Sequence, residues 1–160
     1  MSASSDPEVL ATIASIEEQE RELVFARFDN DDAWRLGCAI VDLARERGLG
    51  VTVDIRRAGQ QLFHAALPGT TADNDSWIER KSHVVERFGA SSYVVGLRAI
   101  AKGTTFAAQH DLPTAQYAAH GGSFPLRIRD VGIVGAVTVS GLPQAADHAL
   151  VVEVLRGFLA

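Results

Sequence analysis

Three groups of polar residues have types and spacing that can do chemistry. They are Arg80 with Lys81, His120 with Gly121 and Gly122, and Asp147 with His148. Arginine and lysine bind carboxylates and phosphates, histidine carries protons or binds metals, and aspartate can balance a buried cation. The second and third groups fall at the ends of expected helices and strands. Functional groups are common at such positions, because a rigid scaffold holds them there.

Lys81 interrupts the apolar face of a helix expected over residues 73–88. Trp77, Val84 and Phe88 share this face by helical spacing, and Lys81 lies between the first two. A lysine in an apolar stripe is costly unless its ammonium reaches water or a partner. In one interpretation the stem covers apolar surface and the ammonium stays in water. In the other, the ammonium is held in a cleft to meet an anionic ligand or a carboxylate.

Asp147 places a negative charge, rather than a positive one, in an apolar stripe at the start of the last expected helix. Helical spacing places it on the apolar stripe that contains Val154 and Phe158. Its carboxylate either complements the dipole of the first turn or pairs with Lys81 or Arg80, which would offset the desolvation of both groups. Lys81 is the favoured partner. Exchanging that lysine for methionine is expected to be mild for stability but harmful to ligand binding.

The His120-Gly121-Gly122 loop is the other candidate site. Two glycines permit backbone torsions closed to other residues and let a ligand approach the chain closely. The alternative is a simple turn before a strand. His120 is a candidate metal ligand, haem ligand or proton carrier. His148 is either a surface residue or a second polar arm of the same site.

Spacing does not support a metal site, and none is predicted. The histidines form no His-x-His or His-Glu-x-x-His pattern; they are His64, His83, His110, His120 and His148. His83 is expected on the solvent side in ion pairs with Glu79 and Arg87.

Cys38 is the only cysteine, which excludes an internal disulfide. The chain lacks a Gly-x-Ser-x-Gly elbow, and Gly132–Gly135 is not a complete dinucleotide fingerprint.

Length and composition predict one domain over residues 1–160, with residues 1–5 disordered. The chain has 160 residues, 47% of them hydrophobic, and a net charge of −5, as expected for an ordinary globular protein. The negative charge argues against nucleic acid as a partner. No apolar run approaches the ~20 residues of a membrane span. The N-terminal residues lack the features of a signal peptide, which predicts a cytoplasmic location.

Periodicity predicts an α+β fold, with a mainly antiparallel sheet of about five strands and helices packed against it. The expected order is a helix from Asp6-Pro7, a strand over 23–28, a helix from Asn30 or Asp31 to about Gly48, a hairpin over 51–67, a helix over 73–88, weak helices over 91–101 and 105–110, strands over 124–128 and 133–140, and a helix from Pro143. The strand over 133–140 is expected to be central because it is almost entirely apolar. Thr52 and Asp54 are expected on a solvent-exposed face of their strand. Gly37 is expected to let another backbone segment approach its helix closely.

Three motifs together resemble one known family. They are Asp73-Asn74 with Trp77-Ile78 and Arg80-Lys81; Tyr117 with His120-Gly121-Gly122-Ser123-Phe124-Pro125; and Val139-Ser140-Gly141-Leu142-Pro143-Gln144 with Asp147-His148. The chain resembles the uncharacterised, UPF-type branch of the haem-degrading domain superfamily (GlcG/HbpS-like). This resemblance implies a profilin-like fold and a symmetric homo-oligomer, and its named relatives bind haem and iron. It adds Asp73, Asn74, Trp77 and Phe124 to the expected ligand-binding residues.

Three functional interpretations follow. The first is a small-ligand protein that binds haem or another anionic molecule near Gly121 and Gly122. In that case Arg80 and Lys81 receive the propionates and His120 or His148 lies near the iron. The second is a non-catalytic assembly or protein-partner module, and the third is an enzyme acting on a small anionic metabolite. If the candidate residues form a site, they are expected to converge on one cleft beside Gly121 and Gly122, which a neighbouring subunit can complete.

Overall fold

A computed structural model describes residues 6–160, so the disorder expected for residues 1–5 lies outside the described part. Within that part the elements are α1 (Pro7–Glu22), α2 (Asn30–Glu46), β1 (Thr52–Arg57), β2 (Gln60–Ala66), α3 (Ala72–Phe88), α4 (Ser92–Ala101), α5 (Phe106–His110), β3 (Ser123–Ile128), β4 (Gly132–Ser140) and α6 (Gln144–Leu159). All neighbouring strands are antiparallel, in the order β2-β1-β4-β3. The predicted α+β class and the central position of β4 are confirmed.

The described sheet has four strands rather than about five, because residues 23–28 do not form a strand. Phe25 makes one isolated parallel bridge to Ile128. Its backbone N–H donates to the Arg127 carbonyl at 2.8 Å, and its carbonyl accepts from the Arg129 N–H at 2.9 Å. The rings of Phe25 and Phe28 are buried and meet edge to face. The segment therefore serves to insert two aromatic rings into the core.

The two faces of the sheet have different chemistry. One face packs against α2 and α6 and forms the main core, to which β1 contributes Val53 and Ile55. Because strand side chains alternate, Thr52 and Asp54 point to the other face, where α3 packs. The expectation of a solvent-exposed face there is wrong, since both residues are fully buried. The Asp54 carboxylate is satisfied by Arg56 Nε at 2.9 Å and by the Gln61 amide.

Helix α3 has well-defined ends, which fixes the residues that it presents to the sheet. Thr71 caps its N-terminus in a reciprocal capping box with Asn74, an arrangement that satisfies two otherwise unpaired N–H groups. Gly89 ends the helix in the left-handed conformation, with φ 62°. The residues that interrupt its apolar pattern are therefore held at a defined angle to the sheet.

Gly37 in α2 permits a close approach, but to a side chain rather than to a backbone. A Cβ at this position would lie 2.4 Å from the nearest ring carbon of Phe63. Trp34 of the same helix is 62% exposed. A second apolar cluster, formed by residues of α1, α3 and α4 and their neighbours, lies apart from the main core. This cluster attaches α1 to the rest of the molecule.

Candidate functional site

The predicted pairing of Lys81 with Asp147 is present in the structure. Lys81 Nζ donates to Asp147 Oδ2 at 3.2 Å, to the Gly121 carbonyl at 2.8 Å and to the Val139 carbonyl at 3.0 Å. Lys81 is 3% exposed and Asp147 is 2% exposed. All three ammonium protons therefore have acceptors inside the protein. The pair joins α3, the glycine loop, β4 and α6.

Asp147 is stabilised by more than the lysine. Its Oδ1 accepts the backbone N–H of Leu142 at 2.9 Å. Burial raises the pKa of the Asp147 carboxyl, while Lys81 and the backbone N–H groups of Leu142 and Gly141 act in the opposite direction. Burial likewise lowers the pKa of the Lys81 ammonium, and the charge of Asp147 opposes this shift. The pair is thus a structural connection that depends on both members.

The two glycines after His120 are required by the packing around this pair. Gly122 has φ 136°, and a Cβ there would lie 2.3 Å from the Val139 carbonyl oxygen and 2.7 Å from Lys81 Nζ. A Cβ on Gly121 would lie 2.2 Å from the Gln144 carbonyl oxygen. The Gly121 N–H also donates to Gln144 Oε1 at 3.1 Å. The glycines therefore let the loop pass close to β4 and α6.

A small cavity of about 280 Å³ adjoins the Lys81–Asp147 ion pair, and we call it the polar chamber. It is lined by Asp73, Asn74, Trp77, Lys81, His120, Gly121, Ser140, Gly141, Leu142, Gln144 and Asp147. The Asn74 amide donates to Ser140 Oγ at 3.3 Å, which connects α3 to the end of β4. Most of the predicted site residues therefore converge on this chamber.

A second cavity of about 430 Å³, the apolar chamber, adjoins the first. Trp77, His120 and Gln144 line both chambers and form the partition between them. The other walls come mainly from α4 and from the segment that follows it, and they include Leu97, Ile100, Phe106 and Tyr117. Arg80 belongs to this chamber, and its guanidinium carbon lies 4.1 Å from the centre of the Trp77 ring. Its Nε donates to the Ser76 carbonyl at 3.3 Å.

His120 lies on the exposed rim of both chambers, edge to face with Trp77 at 5.4 Å between ring centres. Partial burial lowers the pKa of His120, and the positive charges of Lys81 and Arg80 lower it further. The imidazole is therefore neutral at pH 7. Within residues 6–160 neither ring nitrogen has a hydrogen-bond partner. A lone pair on one ring nitrogen is thus available to a ligand or a proton.

Three of the predicted site residues line neither chamber: Gly122, Phe124 and His148. His148 is 4% exposed, and its Nε2 bonds to Gln19 Oε1 of α1 at 2.7 Å. Its ring packs against Tyr93 and Phe124, and Phe124 itself is a core residue. Burial lowers the pKa of His148 to about 4. The side chain next to Asp147 in sequence points the other way because neighbouring helical residues diverge by about 100°.

His83 also differs from expectation. Its Nδ1 bonds to the Gln116 carbonyl at 2.8 Å instead of joining ion pairs with Glu79 and Arg87. The ring lies 5.9 Å from that of Tyr117, a wall residue of the apolar chamber. His83 therefore ties the outer wall of this chamber to α3.

Sequence reasoning missed part of the site. Ser140, Gly141, Leu142 and Gln144 line the polar chamber, and all four belong to the third motif of the family resemblance. Their position in that motif is the signal that could have found them. The apolar wall residues had no comparable signal, because Leu97 and Phe106 lie in helices that look weak in the sequence. Only the folded chain brings them into the same cavity lining as Trp77.

The fold and its cleft define a profilin-like α+β protein. A family model described as haem-degrading protein HbpS-like matches residues 28–156, and the chain belongs to this family. A UPF0303 protein of Streptomyces coelicolor is 64% identical over 148 residues, which is 92% of this chain and 94% of that protein. The predicted relationship to the UPF-type branch is thereby confirmed.

Solved structures show the same fold. The crystal structure of Ybr137w protein has a TM-score of 0.84 and 30% identity, over 95% of this chain and 92% of that one. A PduOC:heme complex has a TM-score of 0.69 and 17% identity, over 81% and 93% of the two chains. At that identity the likeness supports the fold alone. No helix within residues 6–160 is both long and apolar enough to cross a membrane.

Proposed function

We propose that this protein binds a small, flat anionic ligand in the apolar chamber, and that haem is a suitable ligand. One observation carries the proposal. The guanidinium of Arg80 lies on Trp77, at the wall of a largely apolar cavity and beside the neutral imidazole of His120. An apolar cavity with a few well-placed polar groups is the usual form of a small-molecule site.

The residues present fit haem in three respects. Leu97, Ile100 and Phe106 offer apolar walls for a flat ring, Arg80 offers a fork for a propionate, and His120 offers an unprotonated nitrogen to iron. Haem would supply the iron centre. The description of the family as haem-degrading supports the same ligand, and a protein of the same fold has been crystallised in complex with heme.

The roles of two residues change from the sequence-based interpretation. Lys81 is held by Asp147 and two carbonyl oxygens, so its charge is not available to a propionate. His148 faces α1 and is not a candidate for iron. In the proposal, Arg80 binds the anionic group and His120 is the ligand to iron.

A titration with haemin, followed by visible absorption, tests this proposal. We expect a saturable band at one haemin per chain. Arg80→Gln should weaken binding roughly tenfold through the loss of a charged pair, and His120→Ala should change the position of the band. Arg45→Gln removes an exposed arginine on α2, outside both chambers, and serves as the control. Absence of a saturable band, or wild-type behaviour of both site variants, would contradict the proposal.

A second candidate function, an assembly or protein-partner module, is favoured by the surface of α2. Trp34 is 62% exposed, and its ring lies 5.7 Å from Phe63 of the outer strand β2. A large exposed aromatic beside an unpaired strand edge is typical of an interface. The two functions are compatible, because Trp34 lines neither chamber. That residues 1–160 form a single domain and that the protein is cytoplasmic are predictions from the sequence alone.

A further inference from the structure

The polar chamber is not a site for an anion, although a lysine lines it. The charge of Lys81 is matched by Asp147, and the lysine side chain is only 4% exposed. The remaining charged group in the lining is the carboxylate of Asp73. Among the described residues Asp73 takes part in no ion pair. The free charge that this chamber offers to a ligand is therefore negative.

The backbone of α3 fixes the spacing between Asp73 and the positively charged Arg80. Asp73 and Arg80 are seven residues apart, so they lie on nearly the same side of the helix, about 10 Å apart along its axis. Trp77 lies between them and lines both chambers. Along one stripe the helix thus presents a carboxylate, an indole ring and a guanidinium in that order.

We propose that the site takes a ligand with two unlike ends: a carboxylate held by Arg80 in the apolar chamber, and a protonated amine held by Asp73 in the polar chamber. In this proposal, the middle part of the ligand is flat and apolar. It connects the two ends and lies against Trp77, His120 and Gln144, the residues that line both chambers. Ser140 Oγ, which accepts a hydrogen bond from Asn74, offers the amine a further acceptor. The carboxylate end rests on the proposed function, and the amine end is new.

Three synthetic probes isolate the amine end. They share a biphenyl body and a 4-carboxylate, and differ at the 4′ position, which carries hydrogen, a second carboxylate or an aminomethyl group. Calorimetry with the wild-type protein measures each affinity. We expect the aminomethyl probe to bind roughly threefold more tightly than the monoacid, because Asp73 is exposed and an ion pair with an exposed carboxylate is partly screened by water. The diacid should bind more weakly than the monoacid, because its second carboxylate faces Asp73.

Matched variants assign the preference to Asp73. In Asp73→Asn the advantage of the aminomethyl probe and the penalty of the diacid should both disappear. Glu79→Gln removes one negative charge from an exposed position of the same helix, outside both chambers, and should leave the order of the probes unchanged. Arg80→Gln should weaken all three probes by a similar factor, since all share the first carboxylate.

The outcomes separate this inference from the proposed function. Equal binding of the monoacid and the aminomethyl probe overturns the amine end, and so does an advantage that persists in Asp73→Asn. Failure of all three probes to bind also overturns the inference. The haemin titration stands apart from these results, because it depends on Arg80 and His120 and not on Asp73. If the protein binds haemin but shows no preference among the probes, the proposed function is supported and the amine site is refuted.

Discussion

At the scale of single residues, Lys81 and Asp147 are each buried at a cost that the other offsets. The sequence alone predicts a mild effect of Lys81→Met on stability. The structure changes this expectation, because the exchange would leave a buried carboxylate and two carbonyl oxygens without their donor. Breaking a buried pair from one side costs several kcal/mol. We therefore expect the free energy of unfolding to fall by about 3 kcal/mol, measured by urea denaturation.

Two controls accompany this prediction. Lys102→Met changes the exposed lysine after α4 and should alter stability by less than about 0.5 kcal/mol. The double exchange Lys81→Met with Asp147→Leu removes both charges and should recover much of the loss. If Lys81→Met alone unfolds at the wild-type urea concentration, the pair contributes nothing to stability and the prediction is wrong.

His148 should make the stability of the protein depend on pH. Its pKa is lowered to about 4 by burial, so between that value and its ordinary 6.5 the unfolded chain binds more protons than the folded one. Stability then rises with pH across this window and is lost on acidification. The full effect is about 3 kcal/mol, at roughly 1.4 kcal/mol for each pKa unit.

Replacing the histidine tests this dependence. In His148→Gln the side chain cannot titrate and can still bond to Gln19 across the contact with α1. Unfolding free energies measured at several values between pH 7 and 4 should therefore decline less steeply than in the wild type. Equal slopes for the two proteins would show that other groups control the acid response.

At the scale of elements, two helical glycines predict opposite effects of the same exchange. A Cβ on Gly157 in α6 would meet no atom within 4 Å, so Gly157→Ala should raise stability by about 0.5–1 kcal/mol through helix propensity. A Cβ on Gly37 in α2 would overlap the ring of Phe63. Gly37→Ala should therefore lower stability by about 1–3 kcal/mol through overpacking. Thermal unfolding of the two variants should shift Tm in opposite directions, and shifts of the same sign would contradict the packing argument.

At the scale of the whole molecule, we expect a homo-oligomer. The resemblance to the family predicts one, and the exposed ring of Trp34 beside the outer strand β2 provides a surface for it. Light scattering at micromolar concentration should return a mass above the 17.1 kDa of one chain. Trp34→Glu should lower this mass, since it replaces an exposed apolar side chain on this surface with a charge.

The control for this experiment changes charge elsewhere on the surface. Lys102 lies at the end of α4. The Lys102→Glu variant should therefore have the same mass in solution as the wild-type protein. A wild-type mass near that of one chain would refute the homo-oligomer. If Trp34→Glu leaves an oligomer intact, the contact lies on another surface.

Local chemistry made much of the fold predictable from the sequence. Asp6 and Pro7 mark the start of α1, and Ala58-Gly59 forms the turn of the first hairpin with positive φ at both residues. The unusual apolar run of β4 indicated its central place. A charge within an apolar helix stripe identified Lys81 and Asp147, because a buried charge demands a partner of opposite sign.

Other features depended on contacts between distant parts of the chain. Residues 23–28 have strand-like composition, but only Phe25 finds a backbone partner. Asp54 is buried because α3 covers its face of the sheet, and His148 turns to Gln19 because α1 lies there. The distribution of charge between the chambers also arises in three dimensions. Asp147 neutralises the charge of Lys81, whereas Asp73 and Arg80 line the two chambers and take part in no ion pair among residues 6–160. Sequence periodicity identifies which side of an element is apolar, whereas the packing of distant elements decides which polar groups remain free.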